Sequence, residues 1–264
     1  MKSLMMTLSL GFVPLLFADV ENVIGYAYHQ TLKNSNPELL YIEKHRYDGT
    51  QHKVLYENGR AGEFAKKSLD YSLGYSTPNL TFSNTLCQES YNITHVDEQP
   101  IHHDETTLAI KYKNVCDDER FDKTLTISHP YVIDAGFDFY IRENLHRINN
   151  ENLLFFYALP SRASSVKLLA KSQPCDDIKQ RFTALIATLP EANNNLDQWQ
   201  QCLSIRPKSW VLAQFFPTMH LAYSSDKKLK LFAGKSNIGD AEGDYKNVFI
   251  VYNNVDDKAK DSTF

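Results

Sequence analysis

In the first half of the chain, apolar and polar residues alternate with a period of two, and turn signals separate the runs. NVIGYAYHQ (22–30), ELLYIEKHRY (38–47), HKVLYE (52–57) and GEFAKKSLDYS (62–72) all carry the side-chain period of a β-strand. DGTQ (48–51) and NGR (58–60) lie between successive runs. Asp-Gly or Asn-Gly in that position is a strong hairpin signal. Strands joined so tightly pair with their sequence neighbours, so the pattern predicts an antiparallel meander.

The cysteines refine this. The chain has four: Cys87, Cys116, Cys175 and Cys202. An even count favours disulfides in an exported chain, and the close pairs that zinc sites need are lacking. Pairing neighbours, Cys87 with Cys116 and Cys175 with Cys202, is the simplest connectivity. Facing Cys87 and Cys116 across an antiparallel pair sets Tyr91 opposite Tyr112, Ile93 opposite Ile110 and His95 opposite Leu108. The apolar pairs then share one face, as the strand period requires. The apex falls at Ile101–His102, inside THVDEQPIHHDET (94–106), which holds three histidines and four carboxylates. The cluster therefore reads as a solvated hairpin tip. A metal-assisted hydrolase would need His95, His102 or His103 to converge with Asp97 or Asp104 from a second element, and no metal site is assigned.

Helical periodicity begins at DAGFDFYIRENLHRI (134–148), with Asp134 as N-cap and Phe137, Tyr140, Ile141, Leu145 and Ile148 on one stripe. ENLLFFYALPSR (151–162) is a continuous apolar run, read as a strand buried on both faces or as the floor of a cavity. CDDIKQRFTALIATLP (175–190) predicts a helix with Ile178, Phe182, Leu185 and Ile186 inward, followed by the strand QCLSIRP (201–207). PKSWVLAQFF (207–216) suits a short helix, since it opens on proline and stops before Pro217. MHLAYSS, KLKLFAGKS and YKNVFIVY supply the last strands, and 253–264 reads as a polar tail. The fold class expected is mostly β (α+β): a single curved antiparallel sheet, or half-barrel meander, with two or three short helices packed on it. With no linker, repeat or low-complexity block, 19–252 reads as one domain.

The N-terminus, MKSLMMTLSLGFVPLLFADV, has one early lysine, a short apolar core and a small residue, Ala18, before an acid. That is the layout of a cleavable signal peptide over 1–18, which places the mature protein in the periplasm as a soluble rather than membrane-spanning chain. The formal net charge of −4 gives no sign of a nucleic-acid-binding surface.

Several phrases, taken in order, carry a resemblance: VIGYAY, VLYENGR, KSLDYS, VIDAGFDFYI, LPSR, PKSW and LFAGKSNIGDAEGDYKNVFIVY. Together they resemble an uncharacterised family of exported proteins in Gram-negative bacteria. The order of strands and interposed helices is similar, more distantly, to the lipoprotein-localisation-factor (LolA/LolB-like) fold. That resemblance implies a curved antiparallel sheet wrapped around helices and an apolar cavity for acyl chains, and it implies no catalytic residue.

No nucleophile elbow, phosphate loop, zinc-protease helix or dinucleotide turn occurs in the sequence. Asp240, Glu242 and Asp244 alternate around glycines as in a calcium loop, but without its closing glutamate, so a turn is expected. No cofactor and no catalytic residue is assigned. The leading expectation is a non-enzymatic carrier for a lipid or lipoprotein, with Phe155 and Tyr157 of the apolar run, Arg162 at its end and Trp210 as cavity residues. The alternative is a cell-envelope protein–protein interaction module with a filled core.

Overall fold

The alternation becomes strands in the computed structural model, which describes residues 20–32, 36–96, 104–190, 196–214 and 216–255. The signal peptide expected over 1–18, the hairpin tip 97–103 with Asp97, His102 and His103, and the tail beyond 255 lie outside the described residues. The first four strands, β1 (Glu21–His29), β2 (Leu39–Asp48), β3 (Gln51–Asn58) and β4 (Gly62–Asp70), follow the four alternating runs. Gly49 turns the β2–β3 hairpin at φ +59°, a conformation glycine adopts without steric cost. Then come β5 (Asn79–Asn84), β6 (Glu89–His95), β7 (Glu105–Asn114), β8 (Glu119–Ser128), the short β9 (Tyr131–Val132) and helix α1 (Gly136–Ile148). The second half contains β10 (Leu153–Leu159), β11 (Ser164–Gln173), helices α2 (Cys175–Arg181) and α3 (Thr183–Ile186), β12 (Gln201–Pro207), β13 (Met219–Tyr223), β14 (Leu229–Gly239) and β15 (Tyr245–Asn254).

Among the described residues, fifteen strands form one sheet in the order β8-β7-β6-β5-β4-β3-β2-β1-β15-β14-β13-β12-β11-β10-β9. Every pairing is antiparallel except β9 with β10. Two meanders meet where β1 pairs with β15, Tyr26 opposite Val251. The edge strands β8 and β9 are consecutive in sequence, linked through residues 129 and 130. Three residue steps span at most about 11 Å, so the sheet rolls until its edges meet, further round than a half-barrel. His95 of β6 bridges the seam. Its main-chain N–H and its Nδ1 reach Asn79 Oδ1, which leaves Nε2 to accept from the Tyr131 hydroxyl at 3.0 Å. One histidine of the polar cluster is thus a clasp between β6 and β9.

The β6–β7 register is the one the cysteines required: Tyr91 opposite Tyr112, Ile93 opposite Ile110, His95 opposite Leu108. Cys87–Cys116 and Cys175–Cys202 are both disulfides, with Cα–Cα distances of 5.5 and 5.1 Å. Such bonds persist in an oxidising compartment.

The rolled sheet has helices on both faces. Helix α1 packs inside, setting Ile141, Leu145 and Ile148 against Phe155, Val166, Leu168, Leu203 and Tyr223. Helices α2 and α3 cover the outside, where Ile178, Leu185 and Ile186 meet Tyr28, Leu231, Phe249 and Val251. Three expectations need correction. Asp134 is not the N-cap; Ala135 occupies that position, and the Asp134 carboxylate is used elsewhere. The helix expected over 207–216 is a strand end at Pro207 followed by a 3-10 turn at Leu212–Gln214. Pro207 lies opposite Leu168, so the ladder holds the residue read as a helix start. Trp210, expected as a cavity residue, is 76% exposed.

Each disulfide closes a loop of similar length, with separations of 29 and 27 residues. Replacing Cys175 and Cys202 by serine is expected to lower the unfolding free energy by about 3 kcal/mol. Urea titration of the variant beside the intact protein measures the difference.

Candidate ligand cavity

A barrel of this many strands is too wide for side chains to fill. Helix α1 occupies part of the lumen, and a cavity of about 910 Å³ remains. Its walls are alternate strand residues, such as Tyr41, Glu43, His45 and Tyr47 of β2 and Glu89 and Tyr91 of β6. Arg162, Leu212 and Pro217 line it and are exposed, so they mark where it meets solvent.

One row of directly opposed residues crosses the wall: His45, Val54, Lys67, Phe82 and Tyr91. Lys67 is only 4% exposed. Its Nζ lies 2.6 Å from Asp134 Oδ1. The same oxygen accepts the Ala135 N–H at 2.7 Å, and Oδ2 accepts from the Asn237 amide at 3.1 Å. Asp134 holds a left-handed φ of 44° as the chain turns from β9 into α1. The buried ion pair therefore fastens the helix entry to the far wall of the sheet.

A second polar chain runs beside it. Glu43 Oε2 accepts from the Tyr252 hydroxyl at 3.0 Å and from His45 Nε2 at 3.1 Å. Because a carboxylate only accepts, His45 Nε2 carries the hydrogen. His45 Nδ1 and His52 Nε2 are hydrogen-bonded at 3.0 Å, and His52 Nδ1 faces the Tyr71 hydroxyl at 3.4 Å. Burial, with the adjacent His45, holds the His52 imidazole well below its ordinary pKa, so it stays neutral. All four imidazole nitrogens of this pair have protein partners. Gly25 makes this geometry possible: a Cβ there would sit 2.7 Å from the Tyr252 ring, which crosses the glycine to reach Glu43.

Glu89 Oε1 accepts from the Tyr245 and Tyr112 hydroxyls at 2.8 and 3.1 Å, and burial raises its carboxyl pKa. On α1, Asp138 bonds Arg142 at 2.9 Å and the Tyr223 hydroxyl at 3.0 Å. Among the described residues no group of three or more His, Cys, Asp or Glu could hold a metal ion. In the calcium-like loop, Lys246 Nζ lies 3.0 Å from both Asp240 and Asp244, so a lysine occupies that place.

Of the four residues expected at a cavity, Tyr157 and Arg162 line it. Phe155 does not. Its side chain is fully buried against the Tyr140 ring of α1, 5.3 Å away, because the lumen at that point holds the helix. Trp210 projects outward beside the lining residue Leu212. Sequence reasoning missed Glu43, His45, His52, Lys67 and Asp134 as lining residues. The alternation Tyr41-Glu43-His45-Tyr47 was visible, but polar residues on one strand face ordinarily mark the solvent side.

No family model matches this chain, and no curated protein matches it. Among solved structures, a β-barrel-like protein of the domain of unknown function DUF1849 from Brucella abortus aligns with a TM-score of 0.39 and 8% sequence identity. The alignment covers 89% of this chain and 96% of that one.

Two outcomes follow for the polar lining. Lys67→Met leaves Asp134 buried without its cation and is expected to cost about 3–5 kcal/mol of stability. Guanidinium titration of K67M and of K67M/D134N should show the double variant recovering part of that loss. For His52, the unfolded chain takes up a proton near the ordinary pKa of 6.5 while the folded chain does not. The unfolded state then binds more protons, so stability is lost as pH falls from about 7.5 to about 5.5. Thermal melts across that range should show a shallower decline for His52→Gln.

Proposed function

We propose that the chain is an exported, periplasmic, single-domain binding or carrier protein that takes an acyl-bearing ligand into the barrel and performs no reaction on it. The cavity of about 910 Å³ carries this reading. It falls within the roughly 300–1,000 Å³ of small-molecule sites and has the usual mixture of apolar walls with a few placed polar groups. Leu80, Ile93, Val166, Leu168, Phe232 and Ile250 supply apolar wall, which suits an acyl chain. The pairing of every imidazole nitrogen in the His45–His52 chain supports a non-enzymatic role. The leader-like N-terminus and two disulfides support the compartment, and the rolled sheet around a cavity agrees with the distant resemblance to lipoprotein-localisation factors. No helix among the described residues is long and apolar enough to cross a membrane.

A second reading has its own observation. Trp210, Val211 and Leu212 form an exposed apolar lip next to the cavity mouth, which favours docking on another envelope protein. The two readings are compatible if the ligand passes between proteins at that lip.

Native mass spectrometry of protein taken from the periplasm without detergent or chelator tests the carrier. A mass excess matching an acyl-bearing molecule is expected, and Val23→Trp, which fills part of the lumen, is expected to abolish it. The mature mass less the hydrogens lost to two disulfides, with nothing added, would sink the carrier reading.

A further inference from the structure

The strands from β10 to β13 are free of acid. Residues 152–175 and 201–225 contain no Asp or Glu, yet they carry Arg162, Lys167, Lys171, Arg206 and Lys208. The whole chain has a formal net charge of −4, so its negative charge lies elsewhere and this sector of the barrel is positive. All five cations are exposed. Among the described residues none has a carboxylate partner; Lys167 instead lies over the Phe156 ring, 4.9 Å from its centre. The flanking acids are engaged elsewhere, Glu151 with Arg147, Asp176 with Lys179 and Asp226 with the Ser224 hydroxyl.

The exposed apolar lip rises from the same sector. Lys167 and Arg206 point to the outer face of the sheet, since their neighbours Val166, Leu168, Ile205 and Pro207 are buried. The Lys208 N–H donates to the Lys167 carbonyl at 2.8 Å. That bond extends the β11–β12 ladder and sets the two lysines across from each other at the base of the lip. Two residues on, Trp210, Val211 and Leu212 are 76%, 45% and 39% exposed. The Ala213 N–H bonds the Ser209 carbonyl at 3.0 Å and the Phe216 N–H bonds the Leu212 carbonyl at 3.0 Å, so the segment is a built turn. Leu212, Phe216 and Pro217 also line the cavity, which makes lip and mouth continuous.

An indole and two aliphatic side chains held out in water mark a contact surface. Its surroundings select the occupant. An indole suits the headgroup level of a bilayer, aliphatic side chains suit the layer just beneath, and lysine and arginine suit anionic headgroups. Here all three stand together, with no acid among them.

We propose that the lip is a membrane-docking element that seats the barrel mouth on an anionic lipid surface. Trp210, Val211 and Leu212 enter the headgroup layer, and Arg162, Lys167, Arg206 and Lys208 meet the headgroups. The proposal rests on the reading of the lip as a docking surface and names lipid, in place of another envelope protein, as its occupant. Three apolar side chains and a few cations give peripheral, reversible attachment, which suits a mouth that loads and leaves.

The chain has two tryptophans, and Trp199 is buried in the packing of α2 and α3, so vesicle-induced changes in tryptophan emission report Trp210. With vesicles of phosphatidylcholine and phosphatidylglycerol at low salt, the intact protein should shift its emission to the blue and co-sediment. Vesicles of phosphatidylcholine alone should do neither. Salt at about 1 M, where the Debye length is about 3 Å, should release the protein. Trp210→Phe should lose the emission shift. Arg206→Gln with Lys208→Gln should weaken co-sedimentation about tenfold or more at an unchanged melting temperature. Equal binding to both kinds of vesicle, or a shift that survives in W210F, would overturn the proposal. Absence of binding to anionic vesicles would overturn it too and return the lip to a protein partner. The contents of the lumen do not enter this measurement, so its failure leaves the carrier standing, and an empty lumen in the native mass spectrum leaves the docking element standing.

Discussion

Ser128 ends one edge strand of the sheet and Tyr131 begins the other, with only residues 129 and 130 between them. Under that constraint the sheet, fifteen strands among the described residues, has to roll until its edges are neighbours. Rolling makes one face of every strand interior, and the lumen of so many strands is wider than two layers of side chains. Three consequences follow. Helix α1 enters from the seam and takes part of the lumen. The clasp from His95 to Tyr131 holds the seam. What remains is a void, bounded by the residues that alternation turns inward.

The interior is unusual in carrying charge. Burying Lys67, Asp134, Glu43 and Glu89 is tolerable only because each is paired or hydrogen-bonded. Such pairs contribute little net stability relative to an apolar core, yet they are directional. The Lys67–Asp134 pair joins β4 to the start of α1 and so sets where the helix begins. The Glu43–His45–His52–Tyr71 chain ties β2, β3 and the segment after β4 into one surface.

Much of the fold was legible from local pattern. The first four strands, the β6–β7 register derived from Cys87 and Cys116, and the stripe of α1 all appear as the alternation and the helical period required. Strands β5, β8, β9 and β11 went unread. Three of them alternate visibly, as in Leu80-Phe82 and Val166-Leu168-Ala170, but they lack an Asn-Gly or Asp-Gly turn to set them off. Beside Pro207 the cue misled, since proline suits a helix start and a strand end equally. Lys66 and Lys67 show the limit most directly. Adjacent on one strand, they point to opposite faces, one exposed and the other buried. No local signal tells which lysine meets Asp134, because the partner lies 67 residues further on.

By itself, then, the sequence determined the strand period, the hairpins and the amphipathic helix, since each depends on residues close together or on an alternation counted along one segment; neighbour pairing of the cysteines was its simplest connectivity, and the structure decided it. Tertiary structure alone decided that the sheet closes, that α1 lies inside and α2 outside, and that the polar face of β2 is lumen rather than surface. Those outcomes depend on which strand becomes the neighbour of β1 and on a two-residue link between distant edges. Whether a row of tyrosines, histidines and acids faces water or encloses a cavity is a property of the closed sheet, and no single strand carries it.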